Sequence, residues 1–148
     1  MKTHVQQWGI YEIKLQGPEA GNPFKEVTLR AIFDYKGDEA GENKTVEGFY
    51  NGAGEYIVRF MPDKQGLWTF KTESSDKMLS EIEGSFTCVA ADKDNHGPVG
   101  VHDRYHFAHA DGTSFFPFGT TCYAWIHQPE SLQEETIATL TSNQFNKL

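Results

Sequence analysis

Apolar and polar residues alternate along most of the first ninety or so positions, which is the signature of half-buried strands. In "QWGIYEIKL", residues 7–15, Tyr11, Ile13 and Leu15 fall on one face. In "VTLRAIFD", Val27, Leu29, Ala31 and Phe33 point one way, while Thr28, Arg30 and Asp34 point the other. Ile32 is the apolar exception. "TVEGFYNG" and "EYIVRFM" read as two strands of a hairpin turning at Asn51-Gly52, a dipeptide suited to the left-handed backbone of tight hairpins. Pro62 ends the second strand because it has no N–H for a ladder. The turn "PDKQG" follows, with Gly66 expected at positive φ. "LWTFKTES" places Trp68 and Phe70 on one face, and "GSFTCVA" does the same for Phe86, Cys88 and Ala90.

"GPEAGNPF" and "KGDEAGENK" are loops by composition. The pattern predicts about six or seven short strands with no competing helical period, hence a mainly β fold. The architecture expected is an immunoglobulin-like antiparallel β-sandwich with Leu29, Phe33, Tyr56, Phe60, Trp68, Phe70 and Phe86 in its core. Trp68 has a second reading as a sugar-stacking platform, but sharing a face with Phe70 favours the core.

After the polar stretch "AADKDNHGPVG", read as a linker, the character changes. "RYHFAHADGTSFFPFG" predicts strand, Asp111-Gly112 turn, strand, and "TTCYAWIHQPE" a loop. Ser131 with Glu134 reads as a capping box opening a helix that runs to about Gln144. "FNKL" then resembles the start of another strand. The expected domains are a β-sandwich accessory domain over 1–95 and, over 96–148, a linker, a β-hairpin and one strand–helix unit.

The whole chain has 148 residues, 38% of them apolar, with 11 Phe, 6 Tyr and 3 Trp, enough to bury a core. Its formal net charge of −8 offers no field to attract nucleic acid or anionic lipid. No apolar run approaches the roughly 18 residues a membrane helix needs. "MKTHVQQWGI" shows no secretory signal, so the expected compartment is the cytoplasm, with a secreted parent whose leader has been removed left open. The two cysteines, Cys88 and Cys122, are expected as free thiols.

His102, His106 and His109 invite a metal reading, but no helix brings them together, and neither a metal nor a cofactor is expected. "GAGEY" joins two strands and is not a phosphate loop. Glu12 and Arg59 stand in apolar strands and are read as an ion pair across the sandwich.

Three separated blocks carry a resemblance: "WGIYEIKLQGP…NPF", "VEGFYNGAGEYIVRFMPDKQGLWTFKT" and "NHGPV…HFAHADGTSFFPFGTTCYAW". Together they resemble a bacterial carbohydrate-enzyme family with an N-terminal immunoglobulin-like sandwich domain of unknown function, followed by a (β/α)8 barrel of glycoside hydrolase type. The resemblance implies that 115–119 is the first barrel strand and that "GTTCYAW" lies at its carboxyl end, where barrel active sites form. Thr120, Thr121, Tyr123 and Trp125 are then candidate sugar-binding residues of the intact protein, with packing of the barrel rim as the alternative. The two carboxyl groups needed for glycoside hydrolysis come, in such barrels, from later strands.

The chain is therefore expected to be a non-catalytic N-terminal fragment of a glycoside hydrolase, inactive by itself, holding the truncated start of a TIM barrel. Its expected partners are carbohydrate, in the intact protein, and the rest of the barrel domain. The region after about His106, with the apolar residues Leu132, Ile137, Leu140 and Phe145, is expected either to fold back on its own sandwich or to pack on another copy as a homo-oligomer, the second being favoured. A stand-alone carbohydrate-binding or protein-interaction β-sandwich module is the alternative, and it calls for coplanar exposed aromatics on one face.

Overall fold

The computed structural model describes residues 3–37 and 43–148, so part of the loop "KGDEAGENK" lies outside the described residues. The chain divides into two compact units, Met1–Gly97 and Pro98–Leu148. Strand makes up 42% of it and helix 14%, which makes it mainly β, as its alternation predicts.

The first unit contains β1 (His4–Gln6), β2 (Tyr11–Gln16), a single helical turn α1 (Pro23–Glu26), β3 (Leu29–Tyr35) and β4 (Asn43–Glu47). It continues with β5 (Phe49–Gly52), β6 (Glu55–Phe60), β7 (Gly66–Ser74) and β8 (Glu83–Val89). One sheet has the order β1-β8-β7-β3-β4, the other β2-β6-β5. Their facing sides share one core. Phe33 on β3 stacks on Phe60 of β6 at 3.9 Å, and Tyr11 on β2 stacks on Phe86 of β8 at 3.9 Å. All seven expected core residues are buried, and Trp68 is fully enclosed. Its indole N–H donates to the Lys64 carbonyl at 2.9 Å, so the polar edge of the ring is satisfied inside.

Four details differ from the sequence pattern. The stretch "TVEGFYNG", read as one strand, breaks at Gly48 into β4 of the larger sheet and β5 of the smaller. The strand expected over 7–15 begins only at Tyr11, and a separate strand, β1, lies before it at His4–Gln6. β1 joins the larger sheet, and the chain then crosses to the smaller one through Trp8, whose φ is 61°. The Trp8 N–H bonds the Pro62 carbonyl at 2.8 Å, fixing that crossing. β1 also pairs with β8 in parallel, so the larger sheet is not purely antiparallel.

The hairpin turn falls at Ala53 and Gly54, with φ of 48° and 71°, and not at Asn51-Gly52. Side-chain pairing explains the shift: the observed register sets Tyr50 opposite Tyr56, rings 5.0 Å apart, whereas a turn at 51–52 would set Tyr50 against Ala53. Gly52, at φ 94°, becomes part of a bulge.

The second unit opens with a three-stranded sheet, β11-β10-β9, formed by β9 (Val99–His102), β10 (His106–His109) and β11 (Ser114–Phe115). β9 takes in the end of the stretch read as a linker, because Val99 and Val101 alternate with Gly100 and His102 and find a ladder on β10. The Asp111-Gly112 turn stands as read, with Gly112 at φ 89° and the Asp111 carboxylate accepting from the Thr113 N–H at 2.9 Å. Helix α2 (Glu130–Ser142) follows a 3-10 turn at Trp125–His127. The capping box is not formed. Pro129 is the N-cap, Ser131 lies inside the first turn, and no side chain caps the helix. A fixed proline φ already commits the chain to turn there.

Candidate functional site

The segment leaving β11 runs extended through Phe116, Pro117 and Phe118 to Gly119, then into the loop that carries the candidate residues. Gly119 bridges Lys147 in parallel. The Thr120 N–H donates to the Lys147 carbonyl at 3.3 Å, and the Asn146 N–H to the Phe118 carbonyl at 2.9 Å. The order is thus extended segment, loop, α2, extended segment, with the two extended pieces side by side and parallel.

The strand expected over 115–119 is not a regular ladder. The reason is the Asn146 side chain: its carbonyl oxygen accepts from the Phe118 N–H at 2.7 Å, and its amide donates to the Phe116 carbonyl at 2.9 Å. A side chain does here what a neighbouring backbone does in a sheet. The sequence reading missed this asparagine, whose only signal is its place in the strand-like "FNKL".

Thr120, Thr121 and Tyr123 are all exposed, Tyr123 at 92%. Ala124 then takes a left-handed backbone, φ 55°, and turns the chain into the 3-10 turn. Trp125 is half-buried. Its indole N–H donates to the Gln133 carbonyl on α2 at 3.2 Å, and the Gln133 amide returns to the Ile126 and Gln128 carbonyls at 3.3 and 2.6 Å. The loop is therefore tied to α2 through Trp125 and Gln133, while Thr120, Thr121 and Tyr123 are exposed. The structure brings the four candidates onto one loop but sets Trp125 apart as the residue that anchors it. Gln133 was not singled out from the sequence.

His102 and His106 face each other across the β9–β10 hairpin, and the His102 ring nitrogen Nε2 lies 3.2 Å from an Asp103 carboxylate oxygen. His109 instead meets the edge of Phe115 at 5.3 Å. Among the described residues no three His, Cys, Asp or Glu side chains are grouped to hold a metal ion. Both cysteines are free thiols. Among the described residues no helix is long and apolar enough to cross a membrane.

Residues 4–75 match a family described as a domain of unknown function, DUF5060. Across 94% of its length the chain also matches the crystal structure of a protein described as a "putative glycoside hydrolase" from Bacteroides vulgatus, at 41% identity and a TM-score of 0.85. The chain spans 26% of the length of that Bacteroides protein. No curated protein matches it.

Proposed function

We propose that the chain is a non-catalytic part of a carbohydrate-active protein. In this reading the first unit is an immunoglobulin-like accessory sandwich, and the second opens a (β/α)8 barrel whose first loop contributes Thr120, Thr121 and Tyr123 to a sugar cleft. The observation that carries it is the parallel bridge from Gly119 to Lys147 across α2. A loop that leaves the carboxyl end of such a strand and precedes its helix is where barrel enzymes build their sites. The likeness to the Bacteroides protein supports the same reading. Trp125 acts by positioning the loop, because its N–H is already bonded to α2.

A module that binds sugar by stacking has less support. Trp68 is buried, and the exposed rings of the first unit, Phe24 and Phe49, lie on different elements, α1 and β5. In the second unit Phe116, Phe118, Leu132 and Ile137 are exposed, so self-association through these side chains is also part of the proposal. Light scattering over a concentration series should show the mass rising.

The catalytic question is answered by assaying the chain against a panel of aryl glycosides and polysaccharides. Only background rates are expected. Turnover that vanishes on mutating one of its own carboxylates would overturn the non-catalytic reading.

A further inference from the structure

We propose that the first unit has a carbohydrate-binding groove of its own, one that works by hydrogen bonding and not by stacking. It is a cavity of about 400 Å³ where β3 begins and β7 and β4 end, lined chiefly by Thr28, Arg30, Glu47, Glu73, Ser74 and Ser75. That volume falls in the range of small-molecule sites.

The sheet register builds it. Arg30 on β3 lies directly opposite Glu47 on β4 and Glu73 on β7, so the three side chains form one row across the sheet. Neighbouring Leu29 and Ala31 point into the core, which leaves this row on the outer face. Arg30 is held in place: its Nε and Nη2 lie 2.7 and 2.5 Å from the same Glu73 oxygen, Oε2. The remaining guanidinium N–H groups and the other Glu73 oxygen are left to meet a ligand. The two serine hydroxyls are bonded to the chain itself and brace the end of the row. Ser74 Oγ donates to the Thr28 carbonyl at 2.6 Å, and Ser75 Oγ accepts from the Thr28 N–H at 3.0 Å.

The chemistry selects the ligand class. Two carboxylates against one guanidinium disfavour an anion. Leu29 is the one apolar residue in the lining, its side chain turned into the core, and no ring is present, so a flat apolar ligand has nothing to lie on. A neutral polyol suits the row, since adjacent hydroxyls can donate to a carboxylate and accept from the guanidinium at once. The groove takes its ligand class from the carbohydrate reading above, but its position is independent of the 120–125 loop.

The test is to titrate the isotope-labelled full chain with neutral hexasaccharides of xylose, glucose and mannose and follow its backbone amides by NMR. Saturable shifts at Thr28, Glu47, Ser74 and Ser75 are expected with at least one sugar. Glu47→Gln, which leaves the Arg30–Glu73 pair intact, should weaken that binding about tenfold without moving Tm. The binding should be insensitive to salt. Shifts confined to Thr121 and Tyr123 would overturn the groove and leave the barrel-loop reading standing, and no shift anywhere would also overturn it. Salt-sensitive binding of trilysine with no response to sugar would assign the groove to a cation instead, and overturn it as well.

Discussion

Glu12 and Arg59 are direct cross-strand partners on β2 and β6, with the guanidinium Nε 2.6 Å from the carboxylate. The pair lies along one sheet, on its solvent side, and not through the sandwich as the sequence led us to expect. Arg59 also stands over the Phe49 ring at 5.1 Å, so one guanidinium serves two neighbours. The hydrogen bond from Arg59 holds the Glu12 carboxyl below its ordinary value, with the nearby Lys14 charge assisting. A depressed carboxyl favours the folded state above its unfolded pKa and loses that contribution as pH falls through the folded value. Arg59→Ala should therefore move the Glu12 titration midpoint upward, measured by carbon-detected NMR. An unchanged midpoint would show that the pair has no influence in solution.

Trp68 is fully enclosed by rings of both sheets, with Phe60 at 5.1 Å and Tyr35 at 5.2 Å. Trp68→Ala leaves a large cavity and removes the indole donor to the Lys64 carbonyl, so it should cost about 3–5 kcal/mol in urea unfolding. A loss below about 1 kcal/mol would contradict the enclosure.

Burial raises the Cys88 thiol to about 11, and the Asp63 carboxylate pushes the same way. The folded state thus prefers the protonated thiol. Its contribution is complete below the ordinary value of 9.0 and fades as pH rises toward about 11. Thiol titration with a disulfide reagent near neutral pH should find the half-exposed Cys122 at once and Cys88 only in denaturant. Rapid labelling of both in the native protein would be inconsistent with a closed core.

Ala53 holds a left-handed φ of 48° with no glycine to relieve it. Ala53→Gly should stabilise the first unit by about 1 kcal/mol, the usual strain of an L residue there. Gly54→Ala should do the reverse. Its φ is 71°, and an added Cβ would come within 2.9 Å of a Glu19 carboxylate oxygen and 3.1 Å of the Gly17 carbonyl. Equal melting temperatures for the two variants would refute the turn assignment.

Asn146 is the link that keeps the two extended pieces of the second unit together. Asn146→Ala should leave α2 helical by circular dichroism while hydrogen exchange at the Phe118 amide speeds up by about tenfold, the loss of one modest hydrogen bond. Unchanged protection at Phe118 would mean that the backbone bonds alone hold the bridge.

Much of this fold is written in the alternation, because a strand with one buried face must repeat every second residue. That is why the amino-acid pattern alone assigns a side to Leu29, Ala31 and Phe33, and to Tyr11, Ile13 and Leu15, all of which are buried. What alternation does not carry is the partner. The Asn51-Gly52 signal was overridden by the Tyr50–Tyr56 contact, a matter of register between strands. β1 offers one buried apolar residue, Val5, and its ladder lies at the far end of the first unit. At the candidate site the loop itself was legible from the Asp111-Gly112 turn and the residues after it. The anchoring of Trp125 was not, since it depends on a backbone carbonyl, a group every residue has.

That pairing of β1 with β8 sets an order of events during synthesis. Val5 finds its place beside Cys88, Gln6 then receives the Asp92 N–H, and the Gln7 carbonyl receives the Asn95 side chain. β1 is made before every other strand of its unit and is thus among the last of them to be seated, and until residue 95 emerges the edge of β8 stays open to any extended chain nearby. Contacts this distant along the chain close slowly. The unit's first few residues therefore act as a latch on the finished domain, and a chain lacking them would be expected to fold with an unguarded edge.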